Sequence, residues 1–119
     1  MDRRATKKRL LEERERVIRE IADLDADLSE SLEDASGESP YDQHMAETAA
    51  VTLNREIDLT LQESARATLA QIDRALQKLD NGSYGRCDKC GAPIGEGRLA
   101  IAPSATLCID CKRLEERTR

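Results

Sequence analysis

Four cysteines near one end of the chain constrain its fold more than any other feature. They are arranged as Cys87-Asp88-Lys89-Cys90, then Cys108-Ile109-Asp110-Cys111 after seventeen intervening residues that begin with Gly91. Two Cys-x-x-Cys pairs at this separation have the spacing of a structural zinc site, in which each pair brings two thiolates to one tetrahedral ion. Two residues between the cysteines of a pair allow a tight turn that places both sulfurs about 2.3 Å from the metal. Gly91 follows the second cysteine, where such a turn calls for positive φ, a conformation glycine adopts without a Cβ penalty. Two disulfides are the bland alternative, and they require an oxidising compartment. The basic start, residues 1–9, runs into Leu10-Leu11-Glu12-Glu13 instead of an apolar signal core. That reads as a chain kept in the reducing cytoplasm. No apolar run approaches the roughly 20 residues needed to span a bilayer.

With 119 residues, no Trp or Phe, only Tyr41 and Tyr84, and 36% charged residues, a thick globular core is not expected. The expected class is mainly α: a long antiparallel two-helix coiled-coil hairpin with a small C-terminal four-cysteine zinc finger and a short terminal helix. Residues 3–34 read as the first helix. Leu10, Val17, Ile21, Leu24 and Leu28 recur at alternating steps of three and four once Arg14 is counted in the row, which is a coiled-coil seam. Leu11, Ile18 and Leu32 lie beside it and are expected to widen the packed stripe. Gly37 marks the break, and Ser39-Pro40-Tyr41-Asp42 reads as a helix start with Pro at its first position.

Residues 41–79 give the second helix, with Ala50, Leu53, Ile57, Leu61, Ala65, Leu69, Ile72, Leu76 and Leu79 at a mean step of about 3.6. Helices of such length joined by a short turn fold back on each other, giving a rod on the order of 45 to 55 Å at about 1.5 Å per residue. The expected division is residues 1–80 as the hairpin, with its tip near 35–47, and 81–119 as the finger with a charged last helix from 112.

Charge is segregated along this plan. Between Arg19 and Arg55 there is no Lys or Arg, yet ten of the 24 acids lie there, leaving 14 acids against all 19 bases elsewhere. The net charge of -5 conceals an acidic tip and a basic finger end. A solvated face is the ordinary reading of a charge run; an exposed acidic turn also suits an approach to cations or a basic passage.

From Asn81-Gly82-Ser83-Tyr84-Gly85-Arg86 through Cys87-x-x-Cys90-Gly91-x-x-Ile94, and from Gly97-Arg98-Leu99-Ala100-Ile101-Ala102-Pro103 to Cys108-x-x-Cys111-Lys112, the chain closely resembles the DksA/TraR zinc-finger signature. The preceding hairpin is similar to that family's architecture. The resemblance implies a transcription regulator that binds bacterial RNA polymerase, inserting its coiled-coil tip into the secondary channel towards the catalytic Mg²⁺ to modulate initiation. It implies one structural Zn²⁺ on Cys87, Cys90, Cys108 and Cys111, and a monomer without direct DNA binding. The family's Asp-x-x-Asp-x-Ala tip falls on His44-Met45-Ala46-Glu47-Thr48-Ala49, so Glu47 replaces the second acid and His44 the first. Tyr41-Asp42-x-His44 resembles a branch with a Tyr-Asp-x-His tip, in which Asp42, His44, Glu47 and Ala49 would probe the channel. Arg86, Lys89, Arg98, Lys112 and Arg113 would dock outside it. Ala102 stands where an alarmone-responsive relative carries arginine, which argues against ppGpp dependence.

Other classes are open from the residues alone. A zinc ribbon binding nucleic acid would use Arg86, Lys89, Lys112 and Arg113, against a negative net charge and few stacking aromatics. Paired Cys-x-x-Cys also holds iron or cycles as a dithiol. One His with no nucleophile beside it and no phosphate-cradling glycine loop gives no constellation for an enzyme.

Overall fold

A computed structural model describes residues 2–35 and 41–117, with side chains for 2–29 and 48–117. Four helices follow one another: α1 (Arg3–Ala35), α2 (Tyr41–Asn81), α3 (Glu96–Ile101) and α4 (Ile109–Arg117). The turn expected at Gly37 and the Pro40 start lie outside the described residues, as does the side chain of Leu32.

α1 starts where Asp2 caps it: the Asp2 Oδ1 accepts from the Arg4 backbone N–H at 3.0 Å and from that of Ala5 at 3.4 Å. Such a cap satisfies donors that the first turn leaves without partners. α2 stops at Asn81 because Gly82 takes φ 81° and the Ser83 N–H turns back to the Lys78 carbonyl at 2.9 Å. That closure is a Schellman motif, and it relies on a residue free to enter the left-handed region.

The chain divides into two compact units, Met1–Glu15 with Leu69–Arg119, and Arg16–Thr68. In the first unit Lys7 Nζ lies 3.9 Å from Asp80 and Arg14 Nε 2.6 Å from Asp73. Seven residues forward on α1 therefore match seven back on α2, so the pair is antiparallel. Exposed ion pairs contribute only about 0–1 kcal/mol, so they mark register more than they stabilise it. In the second unit Gln62 donates to Asp25, and Arg66 lies 4.0 Å from the same carboxylate.

The α1 seam is as the sequence implies. Leu10, Val17 and Leu24 are buried, and Arg14, Ile21 and Leu28 between them are half-buried. Leu11 and Ile18 do not join it and stay exposed. α2 departs further from expectation. Its inward row is Val51, Arg55, Asp58, Gln62, Ala65, Leu69, Ile72, Leu76 and Leu79, an unbroken alternation of four- and three-residue steps in which every member is buried or half-buried. Leu53, Ile57 and Leu61 are 58, 49 and 48% exposed. The reason is angular. Successive residues turn about 100°, so three consecutive four-residue steps from Ala65 back to Leu53 carry that row about 120° off the seam. The period of 3.6 holds for a straight helix, whereas two helices that stay in contact keep to 3.5.

The fold class stands as the sequence indicates: mainly α, with paired antiparallel helices and a cysteine-bearing end. No strand is present among the described residues, only an isolated bridge between Arg86 and Pro93. In the cysteine-bearing unit a small core of Ile94, Leu99 and Ala105 has Tyr84 and Ala102 packed against it, and α3 supplies Leu99. Arg9 of α1 donates to the Ala100 carbonyl at 2.7 Å.

Candidate metal centre

Each cysteine pair sits in a turn fixed by backbone bonds. In the first, the Gly91 N–H donates to the Cys87 carbonyl at 3.0 Å and the Cys87 N–H to the Ala92 carbonyl at 2.8 Å. Gly91 has φ 72°, as the sequence predicts. The Lys89 N–H points at the Cys87 Sγ, 3.4 Å away. The second pair opens α4: the Lys112 N–H donates to the Cys108 carbonyl at 2.9 Å, and Cys111 is buried in the first turn. Helix N-terminal dipoles favour thiolate. A strap joins the two turns, from the Asp88 N–H to the Thr106 carbonyl at 2.8 Å.

All four cysteines are free thiols, and their sulfurs lie within 4.8 Å of one another. Cys90 and Cys108 are 3.6 Å apart at sulfur. A tetrahedral tetrathiolate with bonds of about 2.3 Å needs sulfur–sulfur edges of about 3.8 Å. The four donors fit one zinc ion, and their number closes its coordination sphere, which leaves a fold-holding role and no position for a reactive water.

The thiols also show what a metal displaces. Cys87 falls to about 6, because backbone N–H groups of Cys108 and Cys90 bond its sulfur. Cys111 is pushed up to about 12 by its bonds to the Cys108 and Cys87 thiols. Cys90 is drawn down by the Ala92 backbone but raised overall by the thiols of Cys108 and Cys87. Four sulfurs this close cannot all carry charge unless a cation sits among them.

A second cluster, not foreseen from the sequence, braces the first turn. Arg74 of α2 forks onto Asp88, Nε to Oδ2 at 3.2 Å and Nη2 to Oδ1 at 3.1 Å. Lys78 Nζ lies 3.0 Å from the same Oδ1 and donates to the Arg86 carbonyl. The Arg74 hydrogen bond first, and Lys78 after it, hold the Asp88 carboxyl below its ordinary range. The available signal was two bases four residues apart at the end of α2, with an acid inside the first cysteine turn.

The other singled-out residues are spread unevenly. Arg86 and Arg113 are exposed, Lys112 is half-buried, and Lys89 lies 3.9 Å from Glu115. Arg98 is half-buried with an Nε that has no hydrogen-bond partner among the described residues. Ala49 is exposed on α2, whereas the side chains of Asp42, His44 and Glu47 lie outside the described residues. Tyr84 donates its hydroxyl to the Pro103 carbonyl at 2.6 Å.

Comparison with known proteins agrees with this arrangement. The family model for the prokaryotic dksA/traR C4-type zinc finger matches residues 82–117. The RNA polymerase-binding transcription factor DksA of Caulobacter vibrioides is 30% identical over 111 residues, 93% of this chain and 73% of that protein. General stress protein 16O of Bacillus subtilis is 31% identical over 109 residues, covering 85% and 67% respectively. The solved structure of transcription factor DksA2 from Pseudomonas aeruginosa superposes with a TM-score of 0.70 at 30% identity, over 98% of this chain and 84% of that one. With the four-cysteine centre, the paired helices and these relatives together, the chain belongs to the DksA/TraR family of C4-type zinc-finger proteins.

Proposed function

We propose that this protein is a transcription regulator that binds bacterial RNA polymerase in the cytoplasm as a monomer. The observation that carries the reading is a relative named for RNA polymerase binding that is similar along both the helical pair and the finger, over 93% of this chain. Zinc holds the finger and takes no part in chemistry, and the protein is not an enzyme.

In this reading Asp42, His44, Glu47 and Ala49 enter the secondary channel, while Arg86, Lys89, Arg98, Lys112 and Arg113 dock outside it. The distribution of charge supports it, since the bases are absent between Arg19 and Arg55 and return towards the cysteines. A protein partner is favoured over single-stranded nucleic acid because the aromatic nearest the finger's bases, Tyr84, is packed against the finger's own core and bonded to Pro103 instead of offered for stacking. Among the described residues no helix is long and apolar enough to cross a membrane.

Gel filtration or a native gel with core polymerase tests the reading. Stoichiometric binding is expected, weakened by Arg113→Glu. Asp42→Ala with Glu47→Ala is expected to abolish the effect on open-complex lifetime while leaving the zinc content at one ion per chain. Absence of polymerase binding at micromolar protein, or an unaltered effect in the tip variant, overturns it.

A further inference from the structure

Lys78 is 2% exposed, among the most deeply buried side chains described, although it is charged and stands on the last turns of α2. A buried ammonium is unfavourable by several kcal/mol unless it is paired and its protons are satisfied. Its partners are the Asp88 carboxylate at 3.0 Å and the Arg86 carbonyl. These two residues flank Cys87, itself buried. The backbone of Lys78 is engaged with the same stretch: its carbonyl accepts the Ser83 N–H at 2.9 Å and the Tyr84 N–H at 3.1 Å. One residue thus fixes both how the chain leaves α2 and how the first cysteine is presented.

We propose that Lys78 is a positioning residue of the zinc site. It acts through Asp88 and the Arg86 carbonyl to set the orientation of Cys87, and it places a buried positive charge beside the ligand loop. Four thiolates around a divalent ion leave two net negative charges. Lys78 and Arg74 bring two positive charges against the single carboxylate of Asp88, so the brace contributes a net cation next to that excess. Water is excluded at the Lys78 end, where the attraction is least screened. Partners of metal ligands commonly hold affinity in this way, and their loss weakens binding about tenfold to a hundredfold. The retention of the metal therefore depends on a helix residue nine positions before the first ligand, outside the cysteine motif.

The test uses the full chain loaded with zinc, without polymerase, so its outcome is separate from that of the polymerase reading. Zinc transfer to an excess of a chromophoric chelator is timed for Lys78→Met, Asp88→Asn, the double variant and Leu79→Ala. The cobalt-substituted proteins are compared by their thiolate-to-cobalt and ligand-field bands, and helicity is followed by circular dichroism. Release is expected to be about tenfold faster in Lys78→Met, with altered cobalt bands and unchanged helicity. Asp88→Asn, which removes the orienting acceptor but leaves both cations, is expected to alter the cobalt bands with a smaller change in rate, and the double variant to fall short of the product of the single effects, since both remove the Lys78–Asp88 contact. Leu79→Ala shortens a buried neighbour whose apolar side chain makes no hydrogen bond, and is expected to leave the cobalt bands unchanged. Wild-type release in Lys78→Met overturns the proposal, and so does a Leu79→Ala protein that matches Lys78→Met in rate and bands. If Lys78→Met fails to fold, Lys78→Gln takes its place, and the cobalt bands of the nearly isosteric Asp88→Asn give a second reading, in which bands identical to the wild type overturn the orienting role.

Discussion

Leu24 and Ile57 belong to the same unit and make a direct test of which row of α2 faces α1. Leu24 is 9% exposed in the seam, whereas Ile57 is half-exposed on the displaced row. Truncation of a buried Leu to Ala typically costs about 2–5 kcal/mol, and a two-helix seam open to solvent on its edges belongs near the lower end, about 2–3 kcal/mol. For Ile57→Ala the lost transfer free energy is halved, to about 1 kcal/mol. The better helix propensity of Ala returns a few tenths of a kcal/mol, leaving a net loss of about 0.5 kcal/mol. At about 4 °C per kcal/mol for a chain of this size, the midpoints should fall by about 8–12 °C and about 2 °C. Urea and thermal unfolding of the zinc-loaded proteins, followed by circular dichroism, measure both. An Ile57→Ala loss equal to or larger than that of Leu24→Ala would refute the strict 3.5-residue packing and restore the straight-helix row.

Gln62 is buried in the seam and bonded to the exposed Asp25, so Gln62→Leu should raise stability by about 1 kcal/mol in the same unfolding assay, because Asp25 returns to water at little cost. Zinc must displace the protons of Cys111, held at about 12, and of Cys90, also raised, so binding at pH 7 should release at least these two protons. Competition with a chelator should then show affinity falling as pH falls, and a pH-independent affinity would contradict the thiol assignments. Gly91→Ala places a Cβ at φ 72° in otherwise open space, so strain alone should weaken the apo turn by about 1–2 kcal/mol, visible as lower zinc affinity with one ion still bound. Metal analysis should give one zinc per chain in a colourless protein, and Cys108→Ser should lower retention sharply while preserving helical circular dichroism from α1 and α2.

What could be read from the residues divides along physical lines. The metal centre was legible because ligand type and spacing act locally, and the first helix because Leu10, Val17 and Leu24 keep heptad positions even with Arg14 between them. The second helix misled at Leu53, Ile57 and Leu61, where apolar character and inward position part company and Arg55, Asp58 and Gln62 occupy the seam. An apolar pattern marks the packed face only where the apolar residues are the packed ones, and Leu53, Ile57 and Leu61 are not. The brace of Arg74, Lys78 and Asp88 was not legible either, since its members lie on different elements and each is a residue type usually found in water. α3 was missed because a six-residue helix opening at Glu96-Gly97 has too little periodicity to announce itself.

The two rows of α2 coincide from Ala65 to Leu79 and part company before that. Near the finger the apolar residues are the packed ones, so a replacement in that row disturbs the helix pair directly and few are tolerable there. Farther along, the inner and outer faces answer to separate demands, and the outward one can be redecorated residue by residue, by mutation or by an engineer, without disturbing how the helices find each other.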